Sequence, residues 1–317
     1  MIVALAGGVG GAKMAQGLAL ALPPGELTVV VNTADDFDLY GLRICPDLDT
    51  VLYTLAGLAN PATGWGIAGD TRRALDAIAR LGRDPWFLLG DQDLATHILR
   101  TERLRAGATL TEVTAEFASA LDVSSRILPM TDDPVATLVE TPAGHIDFQE
   151  YFVHRRQQDD VLGVTFRGAD RARPGGTVLE AIRTAEMVVF CPSNPIVSIG
   201  PIFAVPGFRE ALIQTDAPRI AVSPIIGGRA LKGPADRMLA TLGHDVSAAG
   251  VAALYDGLMD GFVIDEEDRS LADRIALAGV RVLVTRTIMG DGDDRRRLAD
   301  EVLAFGRSLA RAGTVAS

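Results

Sequence analysis

Short, almost unbroken runs of Val, Ile, Leu and Ala recur along this 317-residue chain, at 2–6, 27–32, 187–190, 219–222 and 281–285. A strand with one face in water alternates apolar and polar residues, whereas a strand covered on both faces does not. Between the runs, apolar residues return at helical spacing over 12–21, 177–185, 234–242 and 268–277. Repetition of strand, helix and strand predicts an α/β fold: a Rossmann-like, doubly wound, mainly parallel sheet. The middle breaks the pattern. Residues 93–122 carry Leu94, Ile98, Leu99, Val113, Phe117 and Leu121 at helical spacing, and 136–153 alternate around the turn Thr141-Pro142-Ala143-Gly144. The expectation is one domain, 1–317, with a Rossmann-like core at 1–92 and 171–317 and a helical and antiparallel β insertion at 93–170. Segment 293–312, with Leu298, Val302, Leu303 and Leu309, reads as a closing amphipathic helix.

In a parallel sheet, ligands bind beyond the carboxyl ends of the strands, so the segments that follow each run carry the chemistry. The first is "AGGVGGAKM", 6–14, whose Gly7, Gly8, Gly10, Gly11 and Lys13 suit a bare-backbone phosphate site. It is not a Walker loop, because Ala12 precedes Lys13 and Met14 follows it. Nor is it the dinucleotide fingerprint, whose third glycine position holds Lys13. Asn32, at the end of the second run, offers a neutral amide where a dinucleotide site usually has an acid for the ribose hydroxyls. A dehydrogenase is thereby disfavoured.

The segment after the second run crowds Asp35, Asp36, Asp38, Asp47 and Asp49 into 15 positions, 35–49. Such clustering fits a bound cation, or a solvated loop in which Asp49 caps the following helix. Two later segments suit anions. "CPSNPIVSIGPI" presents Ser193, Asn194 and Ser198, and "SPIIGGRALKGPADRM" presents Ser223, Gly227, Gly228 and Lys232. Either alone also fits an ordinary Gly- and Pro-rich turn. In "DPWFLLGDQDLATHILR", Trp86, Phe87 and Leu88 beside Asp91 could face a flat ring or pack in the core. His97, four residues after Asp93, reads as structural for want of a partner, and the histidine spacings do not support zinc.

A net charge of −11 argues against a nucleic-acid partner. The first apolar run is short, breaks at Gly7 and lacks a basic flank, so neither a signal peptide nor a membrane span is expected. Two cysteines, Cys45 and Cys191, form no disulfide framework and suit a reducing cytoplasm.

Taken in order, "GGVGGAK", "NTADD", "CPDLDTVLYTLAG", "GDQDLATHILR", "ILPMTDDPV", "SNPIVSIGPI" and "SPIIGG…KGPA" resemble the 2-phospho-L-lactate transferase family of CofD/FbiA type, which acts in coenzyme F-420 biosynthesis. The resemblance spans residues 1 to about 265. It implies transfer of a phospholactyl or phosphoenolpyruvyl group from a guanosine diphosphate ester to the deazaflavin Fo, with release of GMP and a requirement for Mg2+. It implies that Asp49 contacts Fo and the metal, that Asp47 and Asp70 share the cation, and that Asp49 and Asp47 serve catalysis. Leu88 matches a deazaflavin-contacting position that is basic in some relatives, with Trp86 and Asp91 beside it. The glycine loop, Lys13, Asn32, Ser193, Asn194, Ser198, Ser223, Gly227 and Gly228 would hold the nucleotide. A homodimer is usual for the family. The rival is a nucleotide-sugar-binding regulator of related fold, without turnover.

Overall fold

The computed structural model describes residues 1–315. Seven strands form the central sheet: β1 (Ile2–Ala6), β2 (Leu27–Val31), β3 (Arg126–Pro129), β4 (Met187–Phe190), β5 (Arg219–Val222), β6 (Gly261–Ile264) and β7 (Arg281–Val284). Their order is β7-β6-β5-β4-β1-β2-β3, and every pairing is parallel. The five runs therefore become five of the seven strands. Along β1, Val3 and Leu5 join one core while Ile2, Ala4 and Ala6 join another, so both faces are covered as the unbroken apolar text requires.

Two strands were not legible as such. β6 opens on glycine and spans only four residues, and β3 is a four-residue edge strand ending in Pro129, which lacks the N–H a longer ladder would need. Because β3 pairs with β2, residues 93–170 do not stand apart from the core as the insertion boundaries expected. The antiparallel part is a separate three-stranded sheet of Ala136–Thr141, Gly144–Asp147 and Gly163–Arg167. Beyond its hairpin the chain makes a π-helical turn, Glu150–His154, rather than continuing to alternate.

Three helices position the site. Helix α1 (Gly8–Ala21) begins four residues earlier than expected, within the glycine segment itself. Helix α2 (Pro46–Leu55) follows the small hairpin Phe37–Leu39/Leu42–Ile44, and its first turn carries Asp47 and Asp49, which complement the positive end of its dipole. Helix α3 (Asp91–Arg105) brings Asp93, His97 and Arg100 onto its buried face. The closing helix α4 (Gly292–Val315) packs Leu298 and Val302 against the core that holds Met14 and Leu18 of α1. Among the described residues, no single helix is long and apolar enough to cross a membrane.

Candidate active site

The strand order reverses between β1 and β4, and a crevice opens where the loops after two such strands part in opposite directions. There the protein has a cavity of about 770 Å³. Its walls come from the starts of α1 and α2, from α3, and from the segments following β4, β5 and β7.

One end is rich in amides, hydroxyls and ammonium groups. Gly7 N–H donates to Ser193 Oγ at 3.1 Å, and that hydroxyl donates back to Gly7 O at 2.8 Å. Gly8 N–H donates to Asp47 Oδ1 at 2.8 Å, so a carboxylate already sits on the helix N-terminus where an anion is favoured. The Asn32 amide donates to Asp47 Oδ2 at 3.0 Å and to Asp35 Oδ2 at 3.2 Å, tying two buried acids together. Burial pushes the Asp47 carboxyl up to about 6 against those two hydrogen bonds. Burial and the neighbouring Asp47 raise that of Asp35 as well. Across the cavity Lys13 Nζ donates to Met289 O at 2.8 Å. Burial, then Arg295 and Lys232, lower its pKa. Lys232 in turn donates to Thr63 O at 2.7 Å, bridging two loops over the cavity beside the half-exposed Trp65.

The other end is acidic and aromatic. Asp49, Asp93 and His97 place ligand atoms within 4.8 Å of one another, the one such grouping of three found among the described residues. Tyr53 Oη donates to Asp93 Oδ1 at 2.8 Å, and the Arg100 guanidinium grips both oxygens of Asp49. Phe87, Leu88, Phe148 and Phe152 form the adjoining wall.

Of the residues expected from sequence, Gly7, Gly8, Gly10, Lys13, Asp47, Asp49, Leu88, Ser193, Asn194, Ser198 and Ser223 line this one cavity. Others do different work. Gly227 and Gly228 are the two central residues of a tight hairpin, with φ of 55° and 77°, and the turn rather than a phosphate explains the pair. Asp70 accepts from the Gln92 and Asp93 amides at 3.0–3.1 Å and so caps α3, and its carboxylate is not one of the three ligand groups gathered around Asp49. Asp91 likewise accepts from Arg73 and Ala74 amides at the start of the helix Arg73–Arg80. Trp86 packs on Phe37, Phe87 and His154, outside the cavity. Gly11 lies behind the wall, where a Cβ would strike Ser193 Oγ at 2.5 Å, and Asn32 acts through Asp35 and Asp47.

His97 and Asp93 are the functional candidates that sequence reasoning passed over. Their i, i+4 spacing put them on one helix face, but the partner that gives the pair meaning, Asp49, is 44 residues upstream of Asp93. Thr287 to Gly290 also enters the wall from beyond the stretch that carried the resemblance.

Asp36 lies behind this site, fully buried and without a hydrogen-bonding partner on either oxygen. Burial lifts its carboxyl to about 7, with Arg43 opposing. The folded chain thus keeps a proton that the unfolded chain releases near pH 4, so the stability this group contributes is whole below about pH 4 and is lost as pH rises through 7. Asp36→Asn should raise Tm at pH 8 by about 3–6 °C and by much less at pH 4. An equal shift at both values, or a lower Tm at pH 8, would count against this.

A cavity at the switch point of a doubly wound sheet, with amides, hydroxyls and Lys13 at one end and the Asp49, Asp93 and His97 grouping at the other, is where an α/β protein of this class binds its ligand. The profile of the 2-phospho-L-lactate transferase CofD family matches residues 2–284, and the chain belongs to that family of transferases acting on phosphate-bearing groups. It is 44% identical over 314 residues to a phosphoenolpyruvate transferase of Streptomyces griseus, covering 97% of this chain and 99% of that one. It is 43% identical over 304 residues to a 2-phospho-L-lactate transferase of Methanosarcina acetivorans, covering 96% and 98%. A crystal structure of a UPF0052 family member from Bacillus halodurans shares the fold, with TM-score 0.63, 17% identity and coverage of 95% and 98%.

Proposed function

We propose that the protein transfers a phospholactyl or phosphoenolpyruvyl group from a guanosine diphosphate ester to the deazaflavin Fo, releasing GMP. The observation that supports this reading is that the two chemically different ends share one cavity. The diphosphate belongs with Gly7, Gly8, Ser193 and Lys13, and the ring with Phe87, Leu88, Phe148 and Phe152. A primary hydroxyl of the ribityl chain forms the new P–O bond at the phosphorus bearing the acid and gives its proton to Asp49, the P–O bond to the bridging oxygen breaks, and GMP leaves with the electron pair. Such transfer depends on in-line placement and charge neutralisation, for which no covalent nucleophile is needed.

Mg2+ is the ion this reaction calls for. The carboxylates of Asp49 and Asp93, close together at the cavity wall, suit a hard cation, while the imidazole of His97 is not a donor magnesium favours. Bound there with phosphate oxygens and water, the ion would neutralise charge building on the phosphoryl group. The protein's own contribution is to hold the donor by oriented amides and to present the acceptor hydroxyl to Asp49.

Incubation of the protein with Fo, Mg2+ and each donor, read by mass spectrometry, tests the reading: GMP and an Fo phosphodiester should appear together. Calorimetry should also show GDP binding at least about tenfold tighter than ADP, because a base-edge hydrogen bond left unpaired costs about 1–3 kcal/mol. Equal affinities, or no product from either donor, would return the protein to the regulator reading.

A further inference from the structure

We propose that Arg100 is the positioning residue of the reaction: from behind the cavity wall it fixes the Asp49 carboxylate and the His97 ring in the orientation the acceptor meets. This deepens the transferase reading and rests on it.

Arg100 is 2% exposed and does not line the cavity, whereas Asp49 and His97 both do. Its Nη1 donates to Asp49 Oδ2 at 3.1 Å and its Nη2 to Asp49 Oδ1, a two-point grip that leaves the carboxylate one rotamer. Nη1 also lies 3.3 Å from His97 Nδ1. A guanidinium carries donors only, so Nδ1 must be the accepting nitrogen and the ring proton must sit on Nε2. That Nε2 is buried, 3.3 Å from Asp93 Oδ1 but out of line for a hydrogen bond, and finds no other partner in the protein. One cation thus decides both the direction of the Asp49 lone pairs and the nitrogen on which His97 carries its proton.

The alternative is that Arg100 simply fastens α3 to α2. Two observations weigh against it. Those helices are already joined by Tyr53, whose hydroxyl reaches Asp93 and Thr96 at 2.8 Å each. And a buried ion pair is a poor fastener, since well-packed apolar residues of similar volume often serve stability as well or better. Phe117, with its ring centroid 5.9 Å from the guanidinium carbon, keeps the cation in place from the far side.

The test compares Arg100→Lys, Arg100→Met, Asp49→Asn and the double variant Asp49→Asn/Arg100→Met with wild type, in the presence of Mg2+, by kcat, KM for Fo, and calorimetric GDP affinity. Arg100→Met should lose about a hundredfold in kcat, and Arg100→Lys, which keeps the charge but not the fork, about tenfold. GDP affinity should stay within about threefold of wild type in both, because the donor end is untouched. Since Arg100 acts partly through Asp49, the loss in the double variant should fall at least about threefold short of the product of the two single losses. Losses that multiply, a wild-type kcat in Arg100→Met, or GDP binding that collapses along with activity would each overturn the proposal. Should Arg100→Met fail to fold, Arg100→Lys decides: wild-type kcat in that variant overturns the proposal, and a tenfold loss with intact GDP binding supports it. Wild-type protein that makes no product from Fo fails the transferase reading first, and this proposal with it. Wild-type turnover with indifferent Arg100 variants fails the proposal alone.

Discussion

Asp49→Asn should lower kcat at least about a hundredfold, the scale on which removal of a charge-stabilising group is felt. The substitution keeps the shape of the side chain and removes its charge from the one place where Asp93, His97 and the cavity meet. It has a second consequence. The Arg100 guanidinium would stay buried without its counter-charge, which costs about 3–5 kcal/mol and should show as a lower Tm. Turnover must therefore be measured per folded protein, at a temperature below the shifted transition. Near-normal kcat in the folded variant would remove Asp49 from the mechanism.

Gly10→Ala should be almost as damaging, at the opposite end of the cavity. A Cβ on Gly10 would fall well inside contact distance of the Pro192 carbonyl oxygen, and a backbone atom cannot swing aside. Helix α1 would have to move away from the segment after β4, opening the Gly7–Ser193 pair of hydrogen bonds at the end of the cavity proposed to hold the donor. The expected result is a GDP affinity weakened at least about fiftyfold, together with the roughly 1–3 kcal/mol of destabilisation typical of an overpacked interior. Calorimetry and a thermal melt check both parts. Unchanged GDP binding would show that α1 and this segment can separate without affecting the site.

Gly10 also shows where the sequence misleads. Glycines near a helix start suggest phosphate, yet Gly10 is needed for the approach of one backbone to another, Gly11 for the approach of the Ser193 hydroxyl, and Gly227 and Gly228 for a turn. Composition cannot separate these uses, because each asks for the same missing Cβ. The sheet was legible where burial on both faces left an unbroken apolar run, as in β1, β2, β4 and β5, and in the partly buried but wholly aliphatic end of β7, while β6 opens on Gly261 and β3 on the exposed Arg126 and closes on Pro129, so that neither shows such a run. The acids near β2 drew notice as a cluster, but which ones share a site depends on helix packing. Asp47 turns to the amide of Gly8, Asp36 is enclosed, and only Asp49 meets α3. His97 was visible as a spacing and had no meaning until α2 supplied the third member.

The strand order has a consequence for synthesis on the ribosome. β1 emerges before the other six strands of its sheet yet lies inside it, with β2 on one edge and β4 on the other. Its partner β2 follows within 31 residues, but β4 starts only at Met187. Until β4 is made, then, the growing chain presents an open, wholly apolar strand edge of the kind that recruits foreign strands. Truncation anywhere between β2 and Met187 should yield an aggregating fragment rather than a half-active one. Because the wall also needs Thr287 to Gly290, the cavity cannot close until the chain has been made through Gly290.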